Sequence, residues 1–233
     1  YEFELIVVDN GSTDGSGDFF ESVGATVLRQ NRNCPYSEAM NIGMEKASSD
    51  IICHINNDVI VGLYWDKILI DAMANYDLDI ASPASIELMP TYAESKRSIK
   101  RWKRISRNLN FSSEENIYTA CQEMYGDWKE YCKKFEYENH GKLINAINGH
   151  TVMLRRSVID RLGKLDERML ATDWDLYLTA KKREITEGDI IAPKIVAWSY
   201  VHHFMQATAK ITKCLYESKS PVFSQITEKW PYP

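Results

Sequence analysis

The stretch Glu4-Leu-Ile-Val-Val-Asp9-Asn10-Gly11-Ser12-Thr13-Asp14-Gly15 decides the fold, because an apolar run ends abruptly in an acid and a polar loop. Such a β-branched run is typical of a buried parallel strand, and the loop after it lies at the edge where open α/β sheets bind ligands. The stretch Ile51-Ile52-Cys53-His54-Ile55-Asn56-Asn57-Asp58 repeats the pattern. Two acids at one sheet edge indicate a nucleotide and a divalent cation; the alternative is that Asp9 and Asp58 are ordinary turn residues.

Strand-like and helix-like segments alternate along most of the chain. This alternation is typical of βαβ units, so we predict an α/β fold with a mixed, mostly parallel sheet flanked by helices. Residues 88–145 have long, charged, helix-like sequence, and we predict that they form a helical insertion within a single domain, 1–233. The predicted strands cover 3–9, 26–29, 51–56, 79–82, 146–154 and 190–198, and the predicted helices cover 17–23, 36–47, 62–76, 157–162 and 173–185.

The bulk composition is that of a globular protein with a substantial core. The chain has 233 residues, of which 44% are hydrophobic and 26% charged. No apolar run approaches the roughly 20 residues of a membrane-spanning helix, and no signal peptide opens the sequence. The five cysteines show no C-x-x-C pair, so neither a disulfide framework nor a zinc site is indicated. We therefore expect a cytoplasmic protein.

Positive charge is concentrated between Lys96 and Arg107, where seven of twelve residues are Lys or Arg and none is acidic. The net charge is −5, so the rest of the chain carries about −12. One interpretation of 96–107 is a solvated helix face. The other is contact with an anionic partner, either a membrane surface that carries a lipid-linked acceptor or a phosphorylated glycan. Nucleic acid is not expected, because the acidic remainder would repel it.

Six segments, taken in order, resemble the motifs of family-2 glycosyltransferases of the GT-A fold. They are Val7–Gly15, Asn33–Gly43 (with Pro35 where the family usually has glycine), Asn56–Asp58, Gly149 with Met153–Arg156, Gly163–Glu167 and Thr172–Leu176. The resemblance implies a Rossmann-like GT-A domain. It further implies transfer of a sugar, with inversion, from a UDP-, GDP- or dTDP-linked donor to a glycan or lipid-linked acceptor.

The resemblance also implies a divalent cation, Mn²⁺ or Mg²⁺, at the segment Asn56–Asp58, where the family carries its D-x-D motif. Asp58 is the predicted ligand, and His203, favoured over His202, is the second. Because Asn56 replaces the first acid of the motif, we predict weak metal affinity without nucleotide. The residues implied to contact the nucleotide are Asp9, Asn10, Ser12, Asn41 and Asn56.

The acceptor hydroxyl must lose a proton as it attacks, so a positioned base is required. The resemblance assigns this role to Asp173. The alternative is helix capping, because Thr172 and Asp175 have the spacing of a capping box and acids are favoured in a first helical turn. The residues expected near the donor or acceptor sugar are Gly149, His150, Trp174 and Asp175; Trp174 could instead be a core residue.

The family normally has one more strand before the segment 3–9, in the middle of the sheet. Without it, ladder groups and apolar surface would stay uncovered, so we expect about 30 further residues upstream, or another segment in that place. Two other functions stay open. One is a catalytically silent glycan- or nucleotide-binding module; the other is a sugar nucleotidyltransferase, although its usual G-x-G-x-R loop is not visible.

Overall fold

The computed structural model describes residues 2–205 and 225–230. These residues divide into two compact units. The first unit contains 2–54, 154–192 and 225–230, and the second contains 55–153 and 193–205. The four cysteines in the described part of the chain are all free thiols, and Cys214 lies outside the described residues.

The first unit begins with two parallel strands and two helices. They are β1 (Ile6–Asp9), α1 (Ser16–Ser22), β2 (Thr26–Arg29) and α2 (Tyr36–Lys46), followed by β3 (Ile51–Ile55). β1 pairs with β2 so that Asp9 lies opposite Arg29. Gly17 lets α1 approach the end of β1 closely, because a Cβ at this position would lie 2.5 Å from the Asp9 carboxylate.

The first unit is completed by α7 (Arg156–Leu162), α8 (Thr172–Thr186) and α9 (Ile226–Lys229). Arg156 attaches the start of α7 to the segment before β3. Its guanidinium donates to the carbonyl oxygens of Ala47, at 2.6 Å, and Ser49, at 3.0 Å, and its backbone N–H donates to Asp50 at 2.7 Å. These bonds satisfy the carbonyl groups of the segment that connects α2 to β3.

The second unit is built around the long strand β8. Its elements are β4 (Val59–Val61), α3 (Trp65–Asn75), β5 (Ile80–Ala84), α4 (Tyr92–Ile105), α5 (Glu114–Tyr125), α6 (Trp128–Asn139), β6 (Leu143–Ile144), β7 (Thr151–Arg155) and β8 (Lys194–His203). The strand order here is β7-β5-β8-β4, and β6 also pairs with β8. β8 is parallel to β5 and antiparallel to β4 and β6. The sheet is therefore mixed, as predicted.

The structure extends β8 five residues beyond the predicted strand, to His203. The sequence pattern ended at Trp198 because Ser199, His202 and His203 interrupt the apolar run, yet Ser199 and His202 are fully buried. Gly62 allows the chain to pass close to this strand. Its N–H donates to the Tyr200 carbonyl oxygen at 3.0 Å, and a Cβ there would lie 2.3 Å from that oxygen.

The region predicted as a helical insertion contains the three helices α4, α5 and α6. Their apolar sides are buried in the second unit. One cluster joins Trp102 and Ile105 of α4 with Met124 of α5 and Phe204. A second cluster places Phe135 of α6 against Tyr200. The charged residues of this region therefore lie on the solvent-facing sides of the three helices, and the opposite sides of these helices form part of the core.

β1 and β2 form a sheet of two strands, and within residues 2–205 and 225–230 no pairing joins them to the larger sheet. The expectation of a further strand beside β1 stays a prediction. None of the helices in the described part of the chain is both long enough and apolar enough to cross a membrane.

Candidate active site

The register between β4 and β8 brings the two predicted metal ligands together. Val59 lies opposite His203, so Asp58, one residue before β4, lies beside the end of β8. The Phe204 N–H donates to the Asp58 carbonyl oxygen at 2.9 Å, and His203 Nε2 lies 3.3 Å from Asp58 Oδ1. Both side chains are largely buried, which strengthens the interaction between their charges.

Two further side chains, Glu87 and His150, complete a cluster with this pair. Glu87 Oε2 lies 3.0 Å from His203 Nδ1 and 3.5 Å from His150 Nε2. The rings of His150 and His203 stack with their centroids 4.6 Å apart. Ligand atoms of Glu87, His150 and His203 all lie within 4.8 Å of one another, a spacing that allows them to share one metal ion.

Glu87 was not predicted from the sequence, and His150 was predicted as a sugar contact. The sequence did not indicate Glu87 because the predicted strand ended at 82, whereas β5 ends at Ala84. An acid shortly after a strand was the signal that pointed to Asp58, and it applies to Glu87 as well, because Glu87 follows the buried strand β5 by three residues. His150 lies directly before β7, and its carbonyl oxygen accepts the Asn56 N–H at 2.9 Å, which ties it to the segment that carries Asp58.

The charges of the cluster compensate one another. Burial lowers the pKa of His203, but the carboxylates of Asp58 and Glu87 outweigh this effect and raise it to about 9. Burial lowers the pKa of His150 to about 4, so this ring is neutral at pH 7. Burial raises the pKa of Asp58, but His203 outweighs this and holds it below its ordinary value. At neutral pH the His203 imidazolium thus supplies the positive charge between two carboxylates. A cation bound by His203 would take over this role and displace the proton, because a histidine that ligates a metal is neutral.

The residues present fit a divalent cation. Two of the buried ligand atoms face charged neighbours only at long distance: Asp58 Oδ1 lies 3.3 Å from His203, and His150 Nε2 lies 3.5 Å from Glu87. The buried Asn56 Oδ1 makes no hydrogen bond to any residue in the described ranges. Buried polar atoms are normally hydrogen-bonded, so Asn56 Oδ1 indicates a missing partner. A mixed set of imidazoles and carboxylates suits Mn²⁺ better than Mg²⁺, which prefers oxygen ligands alone.

The predicted nucleotide-binding residues in the loop after β1 are held in place by hydrogen bonds within the first unit. The buried Asp9 accepts the Ser12 N–H at 2.9 Å. The side-chain amide of Asn10 donates to the carbonyl oxygen of Cys34 at 2.8 Å and accepts the Cys34 N–H at 3.0 Å. Asn10 also donates to Asn33 Oδ1 at 2.7 Å. These bonds hold the loop after β1 against the segment that precedes α2.

Asn41 serves as a brace between α2 and the segment before α8. Its side chain donates to the Leu165 carbonyl oxygen and accepts the Leu165 N–H, both at 2.9 Å, and it also donates to Glu167 at 3.1 Å. The side chain is almost fully buried. Its amide is thus engaged within the protein, and its predicted contact with a nucleotide stays a prediction.

Asp173 is the second residue of α8, and the predicted capping box around it does not form. The N-cap residue is Ala171, without a side-chain cap, and the Thr172 hydroxyl donates to the Met169 carbonyl oxygen at 3.0 Å. Asp173 Oδ1 accepts the Trp174 N–H at 2.9 Å. The carboxylate therefore lies in the first helical turn, where the helix dipole stabilises negative charge. Trp174 is 47% exposed and is not a core residue.

Asp175 is buried beneath the segment 225–230, a contact that the sequence pattern did not indicate. Lys229 Nζ lies 2.9 Å from the Asp175 carboxylate and 3.0 Å from that of Asp166. Trp230 Nε1 donates to Asp175 Oδ1 at 2.7 Å. Because both carboxylate oxygens of Asp175 have partners, its predicted contact with a sugar stays a prediction and would require these bonds to be exchanged.

Comparison with known proteins assigns the family. Residues 1–163 match the model described as glycosyl transferase family 2. The chain belongs to glycosyltransferase family 2. This family-2 chain is similar in structure to GalNAc-T7 with UDP, GalNAc and Mn²⁺, at 12% identity and a TM-score of 0.52, over 86% of this chain and 37% of that one. At this identity the likeness concerns the fold, which is that of GT-A glycosyltransferases.

Two other solved structures are similar at lower TM-scores. One is the mannosyltransferase PcManGT from Pyrobaculum calidifontis in complex with GDP-Man and Mn²⁺, at 16% identity and a TM-score of 0.47, over 83% of this chain and 47% of that one. The other is glucosyl-3-phosphoglycerate synthase from Mycobacterium tuberculosis with Mn²⁺, UDP-Glc and phosphoglyceric acid, at 15% identity and a TM-score of 0.47, over 89% and 63%. The family-2 chain thus spans less than two thirds of each of these proteins. No curated protein sequence matches it significantly.

Proposed function

We propose that this family-2 glycosyltransferase moves a sugar from a nucleotide-diphosphate sugar to an acceptor hydroxyl, with inversion and with a divalent cation. The observation that carries the proposal is the buried cluster of Asp58, Glu87, His150 and His203, whose ligand atoms lie close enough to share one cation. A binding module without catalytic function has no need to concentrate two carboxylates and two imidazoles in a buried position, because buried charge is costly unless it is used or paired.

In this proposal Asp58 and His203 hold the cation, and Glu87 and His150 extend the ligand set. A divalent cation supplies charge neutralisation for a diphosphate leaving group. The prediction of weak metal affinity without nucleotide rested on a single carboxylate. Glu87 provides a second one, so we now expect the protein to bind Mn²⁺ measurably on its own, and more tightly than Mg²⁺.

The remaining residues take the roles that the family resemblance implies. Asp9, with Asn10 and Ser12, faces the base, and Asn56 lies near the ribose. Asp173 accepts the proton of the acceptor hydroxyl, which attacks the anomeric carbon from the side opposite the leaving group and so inverts its configuration. The acceptor is a glycan or a lipid-linked glycan. No observation favours the rival function, nucleotidyl transfer, because the sequence contains no G-x-G-x-R loop of the kind that such enzymes use to bind phosphate.

Thermal unfolding in the presence of nucleoside diphosphates tests the donor site. A ligand that binds only the folded protein stabilises it by about 2.7 kcal/mol at a hundredfold excess over its dissociation constant. We expect one of UDP, GDP or dTDP to raise the melting temperature, and to do so only with Mn²⁺. Transfer of the cognate sugar, followed by the anomeric configuration of the product, then tests the reaction. A chain that binds a glycan but shifts with none of the nucleotides would be a binding module.

Replacement of Glu87 by Gln tests whether the cluster is a metal site. The amide keeps the size of the side chain but removes a negative charge and weakens it as a ligand. We expect Mn²⁺ affinity, measured by calorimetry without nucleotide, to fall by about 10-fold to 100-fold. The matched control is Glu123→Gln, an exposed acid of the same unit. If Glu87→Gln binds Mn²⁺ like the natural chain, Glu87 serves only to pair with His203.

A further inference from the structure

The helix α4 carries a basic face that the proposed catalytic function does not use. Seven cations lie between 96 and 107, and all seven are exposed: Lys96, Arg97, Lys100, Arg101, Lys103, Arg104 and Arg107. Six of them lie on α4, where at 3.6 residues per turn they occupy an arc of about 160° around the helix axis, and Arg107 lies in the 3₁₀ turn that follows, Ser106–Asn108. The half-buried and buried residues of the same stretch, among them Ile99, Trp102 and Ile105, occupy the opposite arc.

These cations have no carboxylate partners within the described part of the chain. No ion pair joins any of the seven to an Asp or Glu, and only Arg101 makes a hydrogen bond, from its guanidinium to the Glu123 carbonyl oxygen at 2.6 Å. Elsewhere in the same unit, Lys67, Lys133 and Lys134 each pair with an acid on their own helix. Like charges at this density repel one another, and an anionic partner relieves that repulsion and is attracted to the face.

The structure assigns this face to the surface of an anionic lipid bilayer, on which it docks through charge and without insertion. A cluster of four to eight Lys or Arg on one helix is typical of proteins that bind anionic headgroups. The face lies along one side of a single helix and presents its charges as a broad array, which suits an extended surface. Contact with many headgroups at once requires no specific pocket.

The apolar residues of α4 show why insertion is not expected. Trp102 is 2% exposed and packs with Phe111 and Phe204, and Ile105 is 8% exposed. An interfacial helix that enters the acyl region needs a free apolar face, and in α4 that face belongs to the protein core. The docking is therefore electrostatic and must weaken steeply with salt.

The same burial disfavours single-stranded nucleic acid as the partner. Proteins that bind it combine cations with exposed aromatic rings on which bases stack. Trp102 is the only aromatic residue between 96 and 107, and it is buried. The remainder of the chain, at about −12, would also repel a long polyanion that extends past the helix.

Sedimentation of the full chain with lipid vesicles tests the inference without reference to catalysis. We expect binding to vesicles of phosphatidylcholine with about 30% phosphatidylserine at an ionic strength of about 0.1 M, no binding to pure phosphatidylcholine, and release at about 1 M salt. The variant Lys96→Gln/Lys100→Gln/Lys103→Gln should bind at least about tenfold more weakly. Its thermal unfolding should match that of the natural chain, because these side chains are exposed.

The matched control is Lys129→Gln/Lys133→Gln/Lys134→Gln, which removes three exposed lysines from α6 in the same unit. It has the same net charge as the α4 variant and should bind the vesicles like the natural chain. Equal loss in both variants would show that only net charge matters, and it would overturn the assignment to α4. Absence of vesicle binding, or binding of a single-stranded oligonucleotide in preference to the vesicles, would overturn the choice of partner.

Discussion

Replacement of Asp58 by Asn is expected to abolish the metal-dependent response to nucleotide and to lower the rate of sugar transfer by at least about 100-fold. Changes to residues that merely orient metal ligands already cost 10-fold to 100-fold, and Asp58 is a predicted ligand itself. The side chain keeps its shape, so the protein should fold. What is lost is one of the two negative charges that face His203 at 3.3 Å and 3.0 Å.

The measurement is the melting temperature with Mn²⁺ and the cognate nucleoside diphosphate, accompanied by the initial rate of transfer. Asp71→Asn is the matched control, because Asp71 lies in the same unit, is about half exposed and pairs only with Lys67 on its own helix. The control should respond like the natural chain. A normal, Mn²⁺-dependent shift in Asp58→Asn would mean that the cation binds elsewhere, and the cluster would then be a charge-compensated element of the core.

The sequence predicted Asp58 and His203 but not the complete cluster, and the reason is physical. Asp9 is the last residue of β1, and Asp58 follows the apolar strand β3 by three residues, within a segment that resembles a family motif. Glu87 follows β5 at the same distance but lies in no such motif, and its position beside His203 depends on the pairing of β5 with β8. Pairings between distant strands set the cluster, and periodicity along the chain carries no information about them.

The sequence also did not indicate the hydrogen-bond partners that Thr172 and Asp175 have in the structure. The capping box at Thr172 and Asp175 had the correct spacing, but a competing set of bonds engages both residues. Thr172 donates to Met169, and Asp175 is held by Lys229 and Trp230 from a segment more than fifty residues away. Tertiary contacts of this strength override a local preference that is worth about 1 kcal/mol.

Asp173 is expected to have a chemical role and Asp175 a structural role, and one substitution at each position distinguishes the two roles. Asp175→Asn removes a buried charge that neutralises Lys229, so it should lower the free energy of unfolding by about 1–3 kcal/mol. The variant should keep most of the transfer rate of the natural chain when it is measured below its melting temperature. Asp173→Asn should lower the transfer rate and change the free energy of unfolding little, because its carboxylate is only half-buried.

For Asp173→Asn we expect kcat to fall by about 10²-fold to 10⁴-fold, the range that a general base contributes. Donor binding, measured as the Mn²⁺-dependent thermal shift, should be unchanged, because the amide removes proton acceptance and keeps the volume of the side chain. Equal losses of kcat and of donor binding would instead indicate a residue of the nucleotide site.

Asp160→Asn serves as the control for this variant, since Asp160 is an exposed acid of the neighbouring helix α7 in the same unit. It should transfer sugar at the natural rate. If Asp173→Asn also kept that rate, the proton of the acceptor hydroxyl would have to leave to another group. The carboxylate of Asp173 would then act only on the first turn of α8, where it accepts the Trp174 N–H and complements the helix dipole.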